Sequence, residues 1–209
     1  PLAREVLLRD WNYIHPDFRG PNNKPEACGS DLVLQDLLDA IRFAVKNARV
    51  DTASIHIIGV SGGGYLTLLA YMKLPYPVRS FTAWAPISDL TAWYWESRGR
   101  HNKYAEDLQK VACQNGKINL NEWKRRSPLS LPVPSNRSNA SLYIFEGVHD
   151  GYQGSVPITH SVFFYNKIAR ALYPSRKDAI MPESVWTSIL SKQCYPAADS
   201  NYLLGGRLV

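Results

Sequence analysis

The sequence predicts an α/β domain: a mostly parallel sheet covered by helices on both faces, with a cap-like insertion. Three observations predict it. Short apolar runs alternate along the chain with longer segments of helical period. Those runs are continuous rather than interrupted at every second residue, the pattern of strands in a covered parallel sheet. A glycine-flanked serine, Gly59-Val60-Ser61-Gly62-Gly63, stands at one strand-to-helix junction. The 209 residues suffice for one domain with a sizeable core. We therefore read residues 1–209 as a single domain with 89–135 inserted in it.

The elements follow in order. Asp10 to Ile14 reads as a short strand ending in His15-Pro16. Phe18 to Pro25 is a loop by its Gly, Pro and Asn content. Ser30 or Asp31 caps a helix. Val33, Leu34, Leu37, Leu38, Ile41 and Val45 recur along it at steps of three and four, one buried helical face. Asp51-Thr52 leads into Ser54-Ile55-His56-Ile57-Ile58, a buried strand with His56 packed in the core. Tyr65 to Met72 is the helix after the serine turn, and Arg79 to Trp84 the next strand, closed by Pro86. Asp89 to Ser135 breaks the alternation. Its helices are expected at Tyr104 to Cys113 and Leu120 to Arg126, with Trp93, Tyr94, Trp95, Tyr104 and Trp123 forming its own core rather than a substrate wall. Pro128 to Asn139 is a linker, Leu142 to Phe145 a strand and Val156 to Leu172 mostly helix.

The serine turn carries the chemistry. A Gly-x-Ser-x-Gly turn between strand and helix is a nucleophile elbow, in which small flanking residues let the two elements approach and push the serine out. Gly62 then lies at the helix N-terminus, where free N–H groups and the helix dipole favour an anion; its N–H is one half of an oxyanion hole. A serine hydroxyl also needs a histidine to take its proton and a carboxylate to orient that histidine. In elbow hydrolases the chain order is Ser, then Asp or Glu, then His. Asp150, at the end of the strand 142–145 and in a Gly-flanked turn, is the candidate acid. An ordinary turn residue is the competing reading of that position alone.

The motifs together resemble the prolyl oligopeptidase family of serine peptidases (peptidase family S9). The resemblance rests on the elbow Gly59 to Tyr65 and on Gly147-Val148-His149-Asp150 followed by Ser155-Val156-Pro157 and a helix carrying Ser161. Phe18-Arg19-Gly20, Asp36 on the helix before the elbow strand, and Ser127-Pro128 are similar to further family positions. It spans about Trp11 to Ala169 and implies an α/β-hydrolase fold, Ser61 as nucleophile and Asp150 as acid. Two features depart from it. Pro21-Asn22-Asn23 stands where the family continues with Ser and glycines. The catalytic histidine is expected on a strand beginning near Arg207-Leu208-Val209, beyond the chain, and the other oxyanion donor on a strand before Pro1. The chain thus reads as partial at both ends, and unpaired apolar sheet edges would favour self-association. His160 is the one histidine after Asp150 and so a candidate base, although its helix resembles a non-catalytic family helix. His15, His56, His101 and His149 do not fit the order or the placement.

Composition excludes other classes. The net charge is +6, but the basic residues are scattered and Lys124-Arg125-Arg126 is their one cluster, a solvated helix end; no nucleic-acid surface is indicated. No apolar run approaches the ~20 residues of a membrane span. Cys28, Cys113 and Cys194 show no metal-ligand spacing, and the proposed chemistry needs no cofactor or metal. Asn136-Arg137-Ser138 and Asn139-Ala140-Ser141 match the glycosylation acceptor pattern, read as chance matches in a polar linker. The expected activity is acyl-bond hydrolysis through an acyl-enzyme, with a peptide substrate, as the resemblance implies. An esterase acting on acylated sugars or small esters is the alternative, and a non-catalytic binding domain the second.

Overall fold

The computed structural model describes residues 2–114, 117–137 and 139–193, with the backbone alone at 114, 203–204 and 207–208. In chain order the elements are α1 (Leu2–Leu7), α2 (Asp31–Asn47), β1 (His56–Val60), α3 (Gly62–Lys73), β2 (Ser80–Trp84), α4 (Leu90–Gly99), α5 (Tyr104–Ala112), β3 (Cys113–Gln114), β4 (Lys117–Ile118), α6 (Leu120–Arg126), β5 (Ser141–Phe145), α7 (Thr159–Leu172) and α8 (Glu183–Lys192). Strands β1, β2 and β5 form a parallel sheet in that order. Val60, Trp84 and Phe145 are in register across it. The loops after β1 and β5 therefore leave from the same carboxyl edge, two strand spacings or ~10 Å apart. That edge is where parallel α/β sheets place their sites.

The capping and face assignments made from periodicity hold. Ser30 is the N-cap of α2 and its side chain accepts the Val33 N–H. Val33, Leu34, Leu38 and Ile41 are buried, while Val45 at the far end is exposed. Helix α3 is buried from Gly64 to Met72, as an element apolar all round must be. It packs on β1 and β2, and Tyr65 and Leu69 of its outer side meet the chain at Gly29, just before α2. Phe81 and Ala83 are fully buried on the α3 side of the sheet, and α7 brings Phe164 and Ile168 to the same core.

The opposite face differs from the expectation. Ile58, Val60, Trp84 and Tyr143 are exposed there, so among the described residues helices cover one face only. β1 alternates exposed and half-buried residues because it lies at the sheet edge. His56 is accordingly not a core residue. It is exposed, with Nδ1 2.7 Å from Ser80 Oγ and its ring stacked on Trp11. The strand expected at 10–14 is absent. Asp10 takes a left-handed conformation (φ 54°) that turns the chain out of an extended path. Asn12 donates to the Arg49 carbonyl instead of joining a ladder. Arg207–Leu208 is a strand, but it pairs antiparallel with Leu203–Leu204, apart from the parallel sheet.

Between β2 and β5, α4, α5 and α6 pack on one another. Trp93, Tyr94 and Trp123 are buried and continuous with the main core; Trp95 is exposed. Trp123 Nε1 donates to the Leu108 carbonyl across α5 and α6. The buried Ser127 hydroxyl accepts the Leu90 N–H and donates to the Trp123 carbonyl, tying the start of α4 to the end of α6. Among the described residues no helix is long and apolar enough to cross a membrane. Cys28 and Cys113 are free thiols; Cys194 and Ser138 lie outside the described residues.

Candidate active site

Ser61 follows the last residue of β1 and caps α3. Its backbone is at φ 54°, ψ −116°, a region that costs a non-glycine residue ~1–3 kcal/mol and persists only where surroundings impose it. The Ser61 N–H donates to the Trp84 carbonyl at 2.8 Å, which pins the turn to the end of β2. Its side chain makes no helix-cap hydrogen bond and is exposed. A methyl on Gly59 would lie 2.1 Å from the Gly63 carbonyl oxygen, so strand and helix approach here too closely for any side chain. On the helix side the steric requirement falls on Gly64, which faces the Trp84 carbonyl at 2.7 Å, and not on Gly63, which faces open space. Gly62 opens α3 and offers one of the N–H groups that a helix start leaves unpaired.

A cavity of about 80 Å³ adjoins Ser61 and Gly62. Ile87, Leu90, Trp93, Tyr104 and Leu108 form its apolar wall, so α4 and α5 roof the elbow. Trp93 and Tyr104 are thus part of the core and of the cavity wall alike. Asn22 and Asp107 are its polar lining residues near the elbow. Cys28 also lines the cavity, but burial pushes its thiol up to about 12, far from a reactive thiolate. A wider depression at 117–121 is lined by no serine, cysteine or histidine.

Asp150 lies in the turn after β5. Its N–H donates to the Gly147 carbonyl, and its Oδ2 accepts the Gly147 N–H at 3.2 Å. Arg100 of the α4 end donates from Nη1 to the Gly151 carbonyl, which links the end of α4 to the turn that holds Asp150. Glu146, one residue past β5, was not singled out from sequence. Its Oε2 accepts the Ser161 hydroxyl at 2.6 Å, and its buried Oε1 has no partner. Burial, with the Asp150 carboxyl alongside, pushes Glu146 up to about 8. Its place directly between a strand end and the Gly-x-x-Asp turn was the available signal.

His160 is not poised to act as a base. Its Nδ1 accepts the Ser88 N–H at 3.1 Å and the Asp89 N–H at 3.3 Å. Nε2 must then carry the proton, and it donates to Glu96 Oε2 at 2.9 Å. The ring is buried at the α4–α7 contact with both nitrogens committed. His15, His101 and His149 are exposed, and among the described residues no hydrogen bond joins a histidine to Ser61.

The remaining motifs converge in pairs. Arg19 forks onto Asp36 with 2.7 and 2.8 Å bonds, joining the Phe18-Arg19-Gly20 loop to α2. In Lys124-Arg125-Arg126 only part is a solvated helix end. Arg125 bridges Glu122 and Asp31. Arg126 is buried, bonded to Glu122 and to the Ala27 and Cys28 carbonyls, because the loop before α2 has carbonyls to satisfy there.

Comparison with known proteins agrees with this arrangement. The sequence model of the Prolyl oligopeptidase family matches residues 8–179. An uncharacterized peptidase of Bacillus subtilis, YtmA, is 24% identical over 156 residues, covering 75% of this chain and 56% of the relative, so the chain spans little more than half of that protein. Among solved structures, the acylaminoacyl peptidase of Pyrococcus horikoshii superposes with a TM-score of 0.52 at 24% identity, over 67% of this chain and 21% of that one. Prolyl oligopeptidase B of Galerina marginata gives 0.53 at 19% identity, over 78% and 22%. These likenesses establish the α/β-hydrolase fold, and the family match over most of the sequence establishes descent: the chain belongs to the prolyl oligopeptidase family, peptidase family S9.

Proposed function

We propose that this chain carries the nucleophile and acid of a serine peptidase acting through an acyl-enzyme. The observation that carries the reading is Ser61: a strained, exposed serine at a parallel-strand end and at the start of a buried helix. Ser61 Oγ attacks the substrate carbonyl carbon while a histidine takes its proton. The carbonyl oxygen becomes an anion facing the Gly62 N–H. Collapse breaks the C–N bond, and the histidine returns its proton to the leaving amine. Water then repeats the sequence on the ester. Asp150 orients that histidine, and the likeness to the family supports reading it on a further strand after Asp150. The inserted helices act as a cap, and the apolar wall they supply suits an uncharged side chain of the residue that is acylated.

The test is labelling of the full-length gene product with a fluorophosphonate, mapping of the adduct by mass spectrometry, and Ser61→Ala and Asp150→Asn as controls. An adduct on Ser61, lost in Ser61→Ala and strongly slowed in Asp150→Asn, is expected. Absence of any adduct on the folded protein would overturn the enzyme reading in favour of a binding domain. Cleavage of p-nitrophenyl esters without cleavage of peptide amides would favour the esterase.

A further inference from the structure

We propose that Asn22 is a side-chain oxyanion donor of this site, acting beside the Gly62 N–H and in addition to the donor that the family resemblance implies on an earlier strand; the inference rests on Ser61 being the acylated nucleophile. The Asn22 amide is oriented. Its Oδ1 accepts the Cys28 N–H at 3.2 Å, so its NH₂ is the end left to present. That end lies against the elbow: a methyl on Gly62 would sit 2.7 Å from Nδ2. Asn22, Ser61 and Gly62 line the same cavity. Two segments thus each bring an N–H donor to the cavity beside Ser61, where preorganised donors would stabilise an oxyanion.

The support behind Asn22 is unusually well built. Cys28 is held in a left-handed conformation, φ 43°. Its carbonyl accepts from both Arg126 Nη1 and the Tyr65 hydroxyl. Arg126 is in turn buried and paired with Glu122 at 2.6 Å. This chain of bonds places the Cys28 N–H that aims the Asn22 amide, and it gives the buried arginine of the basic cluster a reason. Gly62 also acquires one, since any side chain there would displace the donor. Asn22 further falls where the sequence departs from the family's Ser and glycines, so the departure supplies a polar group that a glycine-rich loop lacks.

Asn22→Asp is the deciding variant. It keeps Oδ1, and with it the Cys28 bond, but replaces the donor by an anionic acceptor. With full-length protein, the rate of Ser61 phosphonylation and kcat for a p-nitrophenyl ester are expected to fall ~10²–10³-fold with KM within about threefold, the pattern for loss of one oxyanion donor. Asn22→Ala should fall comparably, and Gly62→Ala should match it because the methyl evicts the amide. Melting temperatures are read alongside; if Asn22→Asp does not fold, the rates of folded Asn22→Ala decide. Wild-type labelling with Asn22 variants reacting at about the wild-type rate would overturn the proposal and leave the nucleophile intact. No labelling of wild type would overturn both.

Discussion

Arg137, 66 residues beyond Tyr71 in sequence, donates from Nε to the Tyr71 carbonyl at 2.7 Å. The same guanidinium bonds the Ala70, Leu74 and Tyr76 carbonyls, stacks over Phe81, and is buried. It is a side-chain cap on the last turn of α3, the helix whose first turn carries the elbow. A planar cation with a fan of donors meets the unpaired carbonyls and the negative dipole end together.

Arg137→Met should therefore destabilise the fold by about 3 kcal/mol, since charged hydrogen bonds to buried carbonyls are lost and the acceptors stay behind. Arg137→Lys should recover only a minor part, because one ammonium cannot span the same carbonyls. Urea unfolding midpoints of both variants measure it; a shift below about 0.5 kcal/mol for Arg137→Met would mean the cap contributes little.

Glu146 makes stability depend on pH. Its carboxyl ordinarily titrates at 4.5 and in the fold at about 8. The folded protein thus holds a proton that the unfolded chain releases between those values. The stability that Glu146 contributes is fully present below pH 4.5, falls as pH rises and is lost above about 8. Glu146→Gln should remove that slope and raise the melting temperature above pH 8 relative to wild type, with little change at pH 5. Parallel slopes in the two proteins would show that Glu146 is not the group responsible.

His160 should behave as a structural residue. His160→Ala leaves the Ser88 and Asp89 N–H groups and Glu96 without their partner, a loss of about 3 kcal/mol for buried donors. Under conditions where the variant is folded, Ser61 should still react with a fluorophosphonate. Full loss of labelling in a folded His160→Ala protein would instead make His160 the base.

The Arg19–Asp36 fork should hold the loop that presents Asn22. Arg19 is itself left-handed, φ 64°, with its guanidinium held on Asp36. Asp36 titrates below the usual carboxylate range because Arg19 is hydrogen-bonded to it, so the pair persists at neutral pH and is lost as acid protonates Asp36. Asp36→Asn should speed proteolytic cleavage within residues 17–25 at pH 7 while the global melt changes little. Unchanged cleavage would mean that other contacts hold the loop.

The sequence by itself determined the features that depend on neighbours along the chain. Ser30 capping α2, the buried face of Val33 to Ile41, the parallel strands and the elbow are written in local spacing and turn chemistry, because backbone geometry repeats every two or 3.6 residues. The Gly-flanked turn at Asp150 was legible for the same reason, once a strand was recognised before it. Tertiary structure alone decided where polar groups go. Nothing local says that Arg19 meets Asp36, that Arg137 caps α3, that His160 spends both nitrogens on α4 and its cap, or that Asn22 reaches the elbow. Each buried donor takes the acceptor that packing brings within ~3 Å, and packing unites segments remote in sequence. The misread strand at 10–14 and the exposed His56 have the same origin. Apolar pattern announces a strand, but only a neighbour with free backbone groups makes or buries one.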